Sequence, residues 1–366
     1  MSKPSPSGAA RTPAYGLLVA VTSAVCFGTS GPLAKGLIDS GWSSAAVTAA
    51  RLGLGSLLLV IPLILLRRRL FRELAKSPLL VVAYGVLGVA VVQLSFFNAV
   101  RYLDVPVALL IEYSGLILVV AYDWLIRGRK PTILTGFGCV TALTGLVVVI
   151  LGGSGIGDID PVGLVWAIVA GMGLASYFIL ATEDFSRSGG SVDPLALAAG
   201  GLMLGTIVIA VAGVVGLLPM SMSTDSPVLA DTVVPWWLVA LAIAGISTSL
   251  AYVTGVTAVR LLGATPASFV ALIEVVASAV ASWWLLGQTM AAAQLVGAAV
   301  LLAGLVAVNL GGRPRATSDE SSLHDPSLDH PSLNDVEGGR DDAVGVDPVI
   351  GVDVFERPGL TKTTDP

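Results

Sequence analysis

Residues 108–124 read ALLIEYSGLILVVAYDW, an apolar run that carries carboxylates at Glu112 and Asp123. As an α-helix, the run is long enough to cross most of a bilayer's hydrocarbon core, about 30 Å. A charged side chain near the bilayer centre costs about 2.5–3.5 kcal/mol, so Glu112 needs a partner, water or a function. Asp123 precedes Arg127 by four residues, which predicts a local ion pair at the end of the helix.

The composition indicates a membrane protein. The chain has 366 residues, of which 55% are hydrophobic and 12% charged, whereas soluble domains carry about 25% charged residues. The net charge is −5, but 12 acidic and 5 basic residues lie from Arg313 onward, so the rest of the chain is slightly basic. The sequence contains no basic patch of the kind that binds nucleic acids.

Metal and cofactor chemistry find no support in the sequence. Both histidines, His324 and His330, lie beyond the last apolar run, which excludes a His-ligated metal or a His base inside the membrane. Cys26 and Cys139 lie in separate apolar segments, and two thiols alone make neither a metal site nor an expected disulfide. We therefore expect no cofactor.

Apolar runs of similar length recur along the whole chain and predict an all-α membrane protein with ten transmembrane helices. We interpret the first run as a retained helix rather than a cleaved signal peptide, because many spans follow it. The predicted spans are 14–36, 43–66, 78–101, 105–126, 132–152, 161–182, 194–217, 235–260, 264–287 and 291–311.

The short loops predict the orientation in the membrane, because cytoplasmic loops are enriched in Lys and Arg. With the N-terminus inside, only Lys35 and Arg101 fall outside. Ten crossings place both termini in the cytoplasm of a multi-pass cell-membrane (plasma or inner membrane) protein. The residues then on the inside are Lys3, Arg11, Arg67, Arg68, Arg69, Arg72, Lys76, Arg127, Arg129, Lys130, Arg187, Arg260, Arg313 and Arg315.

The two ends of the chain differ from the ten spans. Residues 1–13 are predicted to form a short cytoplasmic N-terminus. Residues 313–366 are acidic, contain prolines and carry little apolar surface, which predicts a disordered cytoplasmic tail. Both a solvated tail without specific function and a protein-binding tail remain open.

An internal repeat relates the two halves. The motifs Ala99-Val100-Arg101, Pro106, Leu110-Ile111-Glu112 and Trp124-Leu125 recur in the same order after offsets of 159, 160, 162 and 160 residues, ending at Trp284-Leu285. Five spans separate the copies, so the second half crosses the membrane in the opposite direction. We therefore predict two inverted five-helix repeats, at 14–152 and 161–311, an arrangement typical of transporters.

The sequence resembles the drug/metabolite transporter superfamily, in particular its EamA-type ten-helix members. The resemblance rests on AVRLLGATPASFVALIEVVASAVASWWLLGQ at 258–288, on AQLVGAAVLLAGLVAVN at 293–309, and on Arg51 in AARLGLG. Glu274 falls on the family's ninth-helix glutamate, and Gln294, Gly297 and Gly304 fit its tenth-helix pattern. The resemblance implies a five-plus-five helix fold and a carrier for small metabolites, including amino acids.

Three positions depart from the family pattern. Val275 replaces a frequent proline after the ninth-helix glutamate, and Gln288 replaces a glutamate at the end of that helix. Gly115 stands where the fourth helix often has proline. These departures weaken a mechanism that depends on proline-broken helices or on a second acid there.

Three polar residues share one predicted depth. Counted from the outer ends of their helices at 1.5 Å per residue, Arg51, Glu112 and Gln93 all lie about 10–12 Å deep. We predict an Arg51–Glu112 contact with Gln93 beside it. Two interpretations remain open: a structural pair that joins helices two and four, or part of a substrate site.

Glu274 is the second candidate carboxyl. Three interpretations are open for it: a proton carrier, a direct substrate contact, or a structural hydrogen bond. The residues of its helix stripe are Ala267, Ala271, Glu274, Ser278 and Ala281, whose small side chains permit close packing or leave room for a substrate.

Other polar and aromatic residues are weaker candidates. Tyr113, Tyr177, Tyr252 and Trp166 are able to contact a substrate, but membrane aromatics more often pack or anchor. Ser247, Thr248 and Ser249 are able to satisfy their own helix carbonyls. Gly28 to Pro32 predict a bend or an opening in the first helix.

The sequence thus predicts a secondary transporter and not an enzyme. We expect alternating access, export of a small metabolite such as an amino acid or related solute, and possible proton coupling. No Walker motif is present, and ten helices in one chain suffice for a complete carrier. A passive channel on the same fold is the alternative; an intramembrane enzyme and a scaffold acting through the tail are weaker ones.

Overall fold

The computed structural model describes residues 11–66, 74, 77–152, 160–182, 194–262 and 270–311. All of them fall within one compact unit. The predicted tail at 313–366 and most of the predicted N-terminal segment lie outside these residues, as do the basic run from Arg67 to Arg72 and Pro266.

The described residues are mostly helical, because a chain in lipid must satisfy its backbone hydrogen bonds within each segment. Nine described helical segments are long and apolar enough to cross a membrane, and Ile273–Leu286 is a shorter apolar helix. The predicted all-α fold is confirmed. Helix bounds differ from the predictions by a few residues; the first helix begins at Arg11 rather than at residue 14.

The first five helices are labelled in chain order. Helix α1 has two parts, α1a and α1b, and α3 contains a π-helical segment between two α-helical ones. Helix α4 also has two parts, α4a and α4b. The bounds are Arg11–Gly28 and Ser30–Asp39 for α1, Ser44–Leu66 for α2, Pro78–Ala83, Tyr84–Val91 and Val92–Ala99 for α3, Val105–Tyr113 and Leu116–Leu125 for α4, and Ile133–Leu151 for α5.

The other five helices follow, with a two-stranded antiparallel hairpin, β1–β2, between the seventh and eighth. Helix α8 contains the second π-helical segment. The bounds are Pro161–Thr182 for α6, Pro194–Val214 for α7, Val228–Leu229 and Thr232–Val233 for β1 and β2, Trp236–Ala244, Gly245–Leu250 and Ala251–Leu262 for α8, Ile273–Leu286 for the described part of α9, and Ala292–Gly311 for α10.

The interruption of α1 at Thr29 has a local cause. Pro32 lacks a backbone N–H, and its ring crowds the carbonyl of Gly28, so one helical hydrogen bond is lost at this point. The Thr29 hydroxyl donates to the Cys26 carbonyl at 2.8 Å. The predicted bend at 28–32 is therefore an actual break between α1a and α1b.

The interruption of α4 lies where this helix contacts α6. A Cβ added at Gly115 would lie 2.6 Å from the carbonyl carbon of Gly171 on α6. The backbones of α4 and α6 thus touch where α4a ends, as small residues permit in membrane helices. Gly115, where the fourth helix of family members often has proline, thus lies at this interruption.

Helices α5 and α10 pack backbone to backbone through glycines spaced seven residues apart. Gly138 faces Gly304, whereas Gly145, one step further along α5, faces Gly297, one step earlier on α10. The two helices therefore run antiparallel. The glycines in the two rows are Gly138, Gly145 and Gly152, and Gly297, Gly304 and Gly311.

The connections show which helix ends lie together. The backbone N–H of Val105 donates to Oε1 of Gln288 at 3.2 Å, so the α3–α4 and α9–α10 connections meet; we call this the Gln288 end. The N–H of Ala230 donates to the carbonyl of Leu285, which brings the β1–β2 hairpin to the same end. At the opposite, Gly311 end, the Thr132 hydroxyl donates to the Gly311 carbonyl at 3.1 Å.

Candidate functional site

A cavity of about 150 Å³ lies among α1, α2, α3, α4, α6, α8 and α9. The break in α1, the end of α4a and the start of the described part of α9 all border it. All seven residues singled out from the sequence line this cavity: Arg51, Gln93, Glu112, Tyr113, Tyr177, Tyr252 and Glu274. Trp166 is not among its lining residues.

Arg51 is buried on α2, with 4% of its surface exposed. Its Nε donates to the Thr248 hydroxyl at 3.1 Å and its Nη2 to the Ser247 carbonyl at 3.3 Å, both on the π-helical segment of α8. Its Nη1 donates to the Ser30 hydroxyl at the start of α1b. The guanidinium also lies 5.5 Å from the ring centre of Phe97. These partners are all neutral.

The predicted Arg51–Glu112 contact is wrong as an ion pair. No guanidinium nitrogen of Arg51 lies within 4.0 Å of a carboxylate oxygen of Glu112. The reason is that the hydroxyls and the carbonyl of α1 and α8 already hold the guanidinium. By contrast, the predicted Asp123–Arg127 ion pair is confirmed at 2.9 Å.

Glu112 lies in the last turn of α4a and is 6% exposed. Within the described part of the chain its carboxyl has no hydrogen-bond partner, yet it lines the cavity. Oε1 of Gln93, also on the cavity wall, is buried and without a partner there. Buried polar groups are normally paired, so both groups are available to a ligand or to water.

Glu274 is held by a residue from the other half of the chain. The Tyr113 hydroxyl donates to Oε2 of Glu274 at 2.8 Å. The site therefore joins α4a to α9 through this hydrogen bond, while α1 approaches α9 so closely that a Cβ on Gly28 would lie 2.7 Å from the Glu274 carbonyl. Of the predicted stripe around Glu274, Ala267 lies outside the described residues.

Aromatic rings form much of the remaining wall. Phe27 packs edge-on against Tyr252 with ring centres 5.1 Å apart, and Tyr84 packs against Tyr177 at 5.2 Å. Sequence reasoning missed Phe27 and Phe96 as lining residues, because nothing distinguishes them from the other aromatics of the spans. Ser30 was also missed, although it lies in the predicted bend.

The predicted back-bonding of the α8 hydroxyls is confirmed for two of three. Thr248 and Ser249 donate to the carbonyls five residues earlier, as the π-helical register places them, at 3.0 and 2.9 Å. The Ser247 hydroxyl instead pairs with that of Thr29 at 2.8 Å. This links the break in α1 to the segment that holds Arg51.

The comparison with known proteins decides the family. The sequence profile of the EamA-like transporter family matches residues 14–151 and 161–310. The chain belongs to the EamA-like transporter family. It is therefore a membrane transporter, and the resemblance drawn from Arg51, Glu274 and the α10 glycines is confirmed.

Two similar proteins agree with membership in the EamA-like family. An uncharacterized inner membrane transporter of Salmonella typhimurium, YicL, is 25% identical over 308 residues, which cover 82% of this chain and 97% of that protein. A solved crystal structure shares the fold, with a TM-score of 0.56 at 18% identity over 81% of this chain and 97% of that one. The names of the family and of the Salmonella protein indicate a transporter rather than an enzyme. They support a multi-pass plasma-membrane protein with a small-molecule substrate.

Proposed function

We propose that this EamA-family protein is a secondary carrier that exports a small zwitterionic metabolite, such as an amino acid or a related solute, by alternating access. The carrying observation is that, among the residues the structure describes, one cavity holds Arg51 without an ion-pair partner and the carboxyl of Glu112 without a hydrogen-bond partner. Export is the direction that the resemblance to drug/metabolite transporters implies.

The charges of the cavity favour a ligand with two opposite ends. A buried charge without an ion-pair partner is costly, and among the described residues neither Arg51 nor Glu112 has such a partner. A ligand carboxylate beside Arg51 and a ligand ammonium beside Glu112 would satisfy both. The aromatic wall formed by Phe27, Tyr177 and Tyr252 suits an apolar portion of the same ligand.

Alternating access is supported by features that recur in the two halves, which we assign as inverted repeats at 14–152 and 161–311. The π-helical segments begin at Tyr84 and Gly245, a separation of 161 residues. The glycine rows of α5 and α10 pack antiparallel, as an inverted pair must. Two half-structures of this kind are able to rock about a central site, which a passive channel does not need.

We assign the Gln288 end to the outside and the Gly311 end to the cytoplasm, with both chain termini cytoplasmic. The positive-inside rule supports this, because Arg127, Arg129 and Lys130 lie just before Thr132 at the Gly311 end. Coupling to protons is assigned to Glu274, whose carboxyl faces the cavity and is held by Tyr113. One chain supplies the whole cavity, so a monomer suffices.

The test is counterflow in proteoliposomes loaded with a panel of unlabelled amino acids, with each labelled amino acid supplied outside. A carrier accelerates labelled uptake when the same solute is present on the far side, whereas a channel does not. Arg51→Gln removes the cation that is proposed to contact the carboxylate of the ligand. A lost charge-assisted contact of about 2 kcal/mol corresponds to about a 30-fold loss of affinity.

The matched control is Arg101→Gln, because Arg101 lies exposed near the Gln288 end. We expect it to transport normally. Counterflow of zwitterionic amino acids that is equal in both variants would contradict the proposed substrate site, and absence of trans-acceleration in the unmodified protein would favour a channel.

A further inference from the structure

Two buried hydroxyls lie on the described part of α9. Ser278 and Ser282 are 1% and 0% exposed. Within the described part of the chain, the Ser282 hydroxyl is buried without a hydrogen-bond partner, and Ser278 lines the cavity. Eight other helical hydroxyls donate to the carbonyl four residues earlier and are thereby satisfied. Those that do so are Thr22, Thr48, Thr141, Thr144, Ser176, Thr206, Thr254 and Thr257.

The two serines continue a line that begins at Glu274. A spacing of four residues keeps Glu274, Ser278 and Ser282 on one face of α9, with about 6 Å of rise between successive residues. Ser278 lines the cavity together with Glu274. The helix then ends at Leu286, and Gln288 contacts the Val105 N–H. The line therefore leads from the cavity towards the Gln288 end.

Buried hydroxyls without protein partners normally bind water. We propose that Ser278 and Ser282 mark a water-containing proton path that connects the outer surface at the Gln288 end to the carboxyl of Glu274. The proposal rests on the assignment of the Gln288 end to the outside and of proton coupling to Glu274. It adds the route by which the proton arrives, and it identifies Ser282 as a positioning residue for that route.

The proton transfer balances without any further reactant. A hydronium ion at the outer surface gives up a proton and becomes water, and a carboxylate oxygen of Glu274 gains a proton and becomes a carboxylic acid. Each serine hydroxyl accepts one proton and donates another, so it is unchanged. When the cavity opens to the cytoplasm, Glu274 returns the proton to water there.

The charged and titratable groups at both ends of the path are few. Around Glu274 they come from four helices: Arg51 of α2, Glu112 and Tyr113 of α4a, Tyr177 of α6 and Tyr252 of α8. At the outer end, Lys35 forms an ion pair with Asp39 at 2.7 Å, and Asp104 precedes α4a. The segment between the two ends depends on Ser278 and Ser282, and a test should therefore change these two.

The experiment measures the protonation of Glu274 directly and needs no substrate. Proteoliposomes receive a rapid acid jump in the outer buffer, and time-resolved infrared spectroscopy follows the protonated carboxyl band, assigned with Glu274→Gln. We expect Ser282→Ala and Ser278→Ala to slow the appearance of the band at least tenfold. Ser282→Thr, which keeps the hydroxyl, should restore most of the rate.

Thr257→Ala is the matched control, because the Thr257 hydroxyl is a helical hydroxyl already bonded to the Val253 carbonyl. It should protonate Glu274 at the unmodified rate. Unmodified rates in both serine variants, or equal slowing in Thr257→Ala, would overturn the proposed path.

Amino-acid counterflow in Ser282→Ala separates this proposal from the carrier function. We expect exchange to stay within about twofold of the unmodified protein, because exchange needs no net proton movement. If the unmodified protein shows no counterflow, the proposed carrier function is wrong. The infrared protonation rates still test the proton path in that case.

Discussion

The contact between α5 and α10 at Gly145 permits a quantitative test of the fold. A Cβ placed on Gly145 would lie 2.7 Å from the Gly297 carbonyl oxygen and 2.7 Å from the Leu301 Cα. Both are backbone atoms, so no flexible side chain is able to move aside. Gly145→Ala must therefore push the two helices apart, and overpacking of this kind costs about 1–3 kcal/mol.

The same helix offers a matched control at Gly136, where an added Cβ meets nothing within 4 Å. Gly136→Ala should gain up to about 1 kcal/mol, because alanine favours a helix over glycine by that amount. Both substitutions share this gain, so they should differ in free energy of unfolding by the overpacking cost alone, about 1–3 kcal/mol.

The measurement is reversible unfolding in mixed micelles, followed by circular dichroism, for both variants and the unmodified protein. We expect the order of stability Gly136→Ala, unmodified, Gly145→Ala. If Gly145→Ala were as stable as Gly136→Ala, then α5 and α10 would not pack backbone to backbone, and the antiparallel glycine contact that supports the inverted repeats would be wrong.

Two further predictions concern the site and the Gln288 end. Tyr113→Phe removes the 2.8 Å hydrogen bond to Glu274, worth about 1.5–3 kcal/mol to a charged group, so proton-coupled uptake in proteoliposomes should fall at least about tenfold, whereas Tyr102→Phe should not change it. Burial raises the pKa of Asp104, with Lys35 acting in the opposite direction. A raised carboxyl pKa means that the contribution of Asp104 to stability is full below about pH 4 and is lost as the pH rises through the raised value. Asp104→Asn should therefore melt at a higher temperature than the unmodified protein at pH 7 and show no such advantage below about pH 4; the same difference at both pH values would contradict this.

The sequence predicted the helices well because a single property decides them. A run such as 105–126 must be helical in lipid, whatever its neighbours are, since no other structure satisfies its backbone there. The break in α1 was also predictable, because Pro32 causes it locally. The interruption of α4 was not, because no proline marks it, and its contact with Gly171 is distant in the sequence.

The sequence predicted which residues line the site, but not which of them form hydrogen bonds with one another. Counting residues correctly brought Arg51, Gln93 and Glu112 to one cavity, because depth in the membrane follows directly from helical rise. Depth does not fix the rotation of each helix about its axis, so the expected Arg51–Glu112 pair was wrong. The Tyr113–Glu274 hydrogen bond spans 161 residues, and only the packing of α4a against α9 reveals it.

The two cavity glutamates occupy corresponding positions in the proposed repeats but have different partners. Glu274 accepts a hydrogen bond from Tyr113, whereas Glu112 has no partner in the described part of the chain. Arg51 also has no counterpart in the other half, because α7, the counterpart of α2, contains no charged residue. In a symmetric cavity, a zwitterion would bind equally well in two opposite orientations. Under the proposed function, a single arginine selects one of them, with the ligand ammonium towards Glu112 and with Glu274 left to exchange protons.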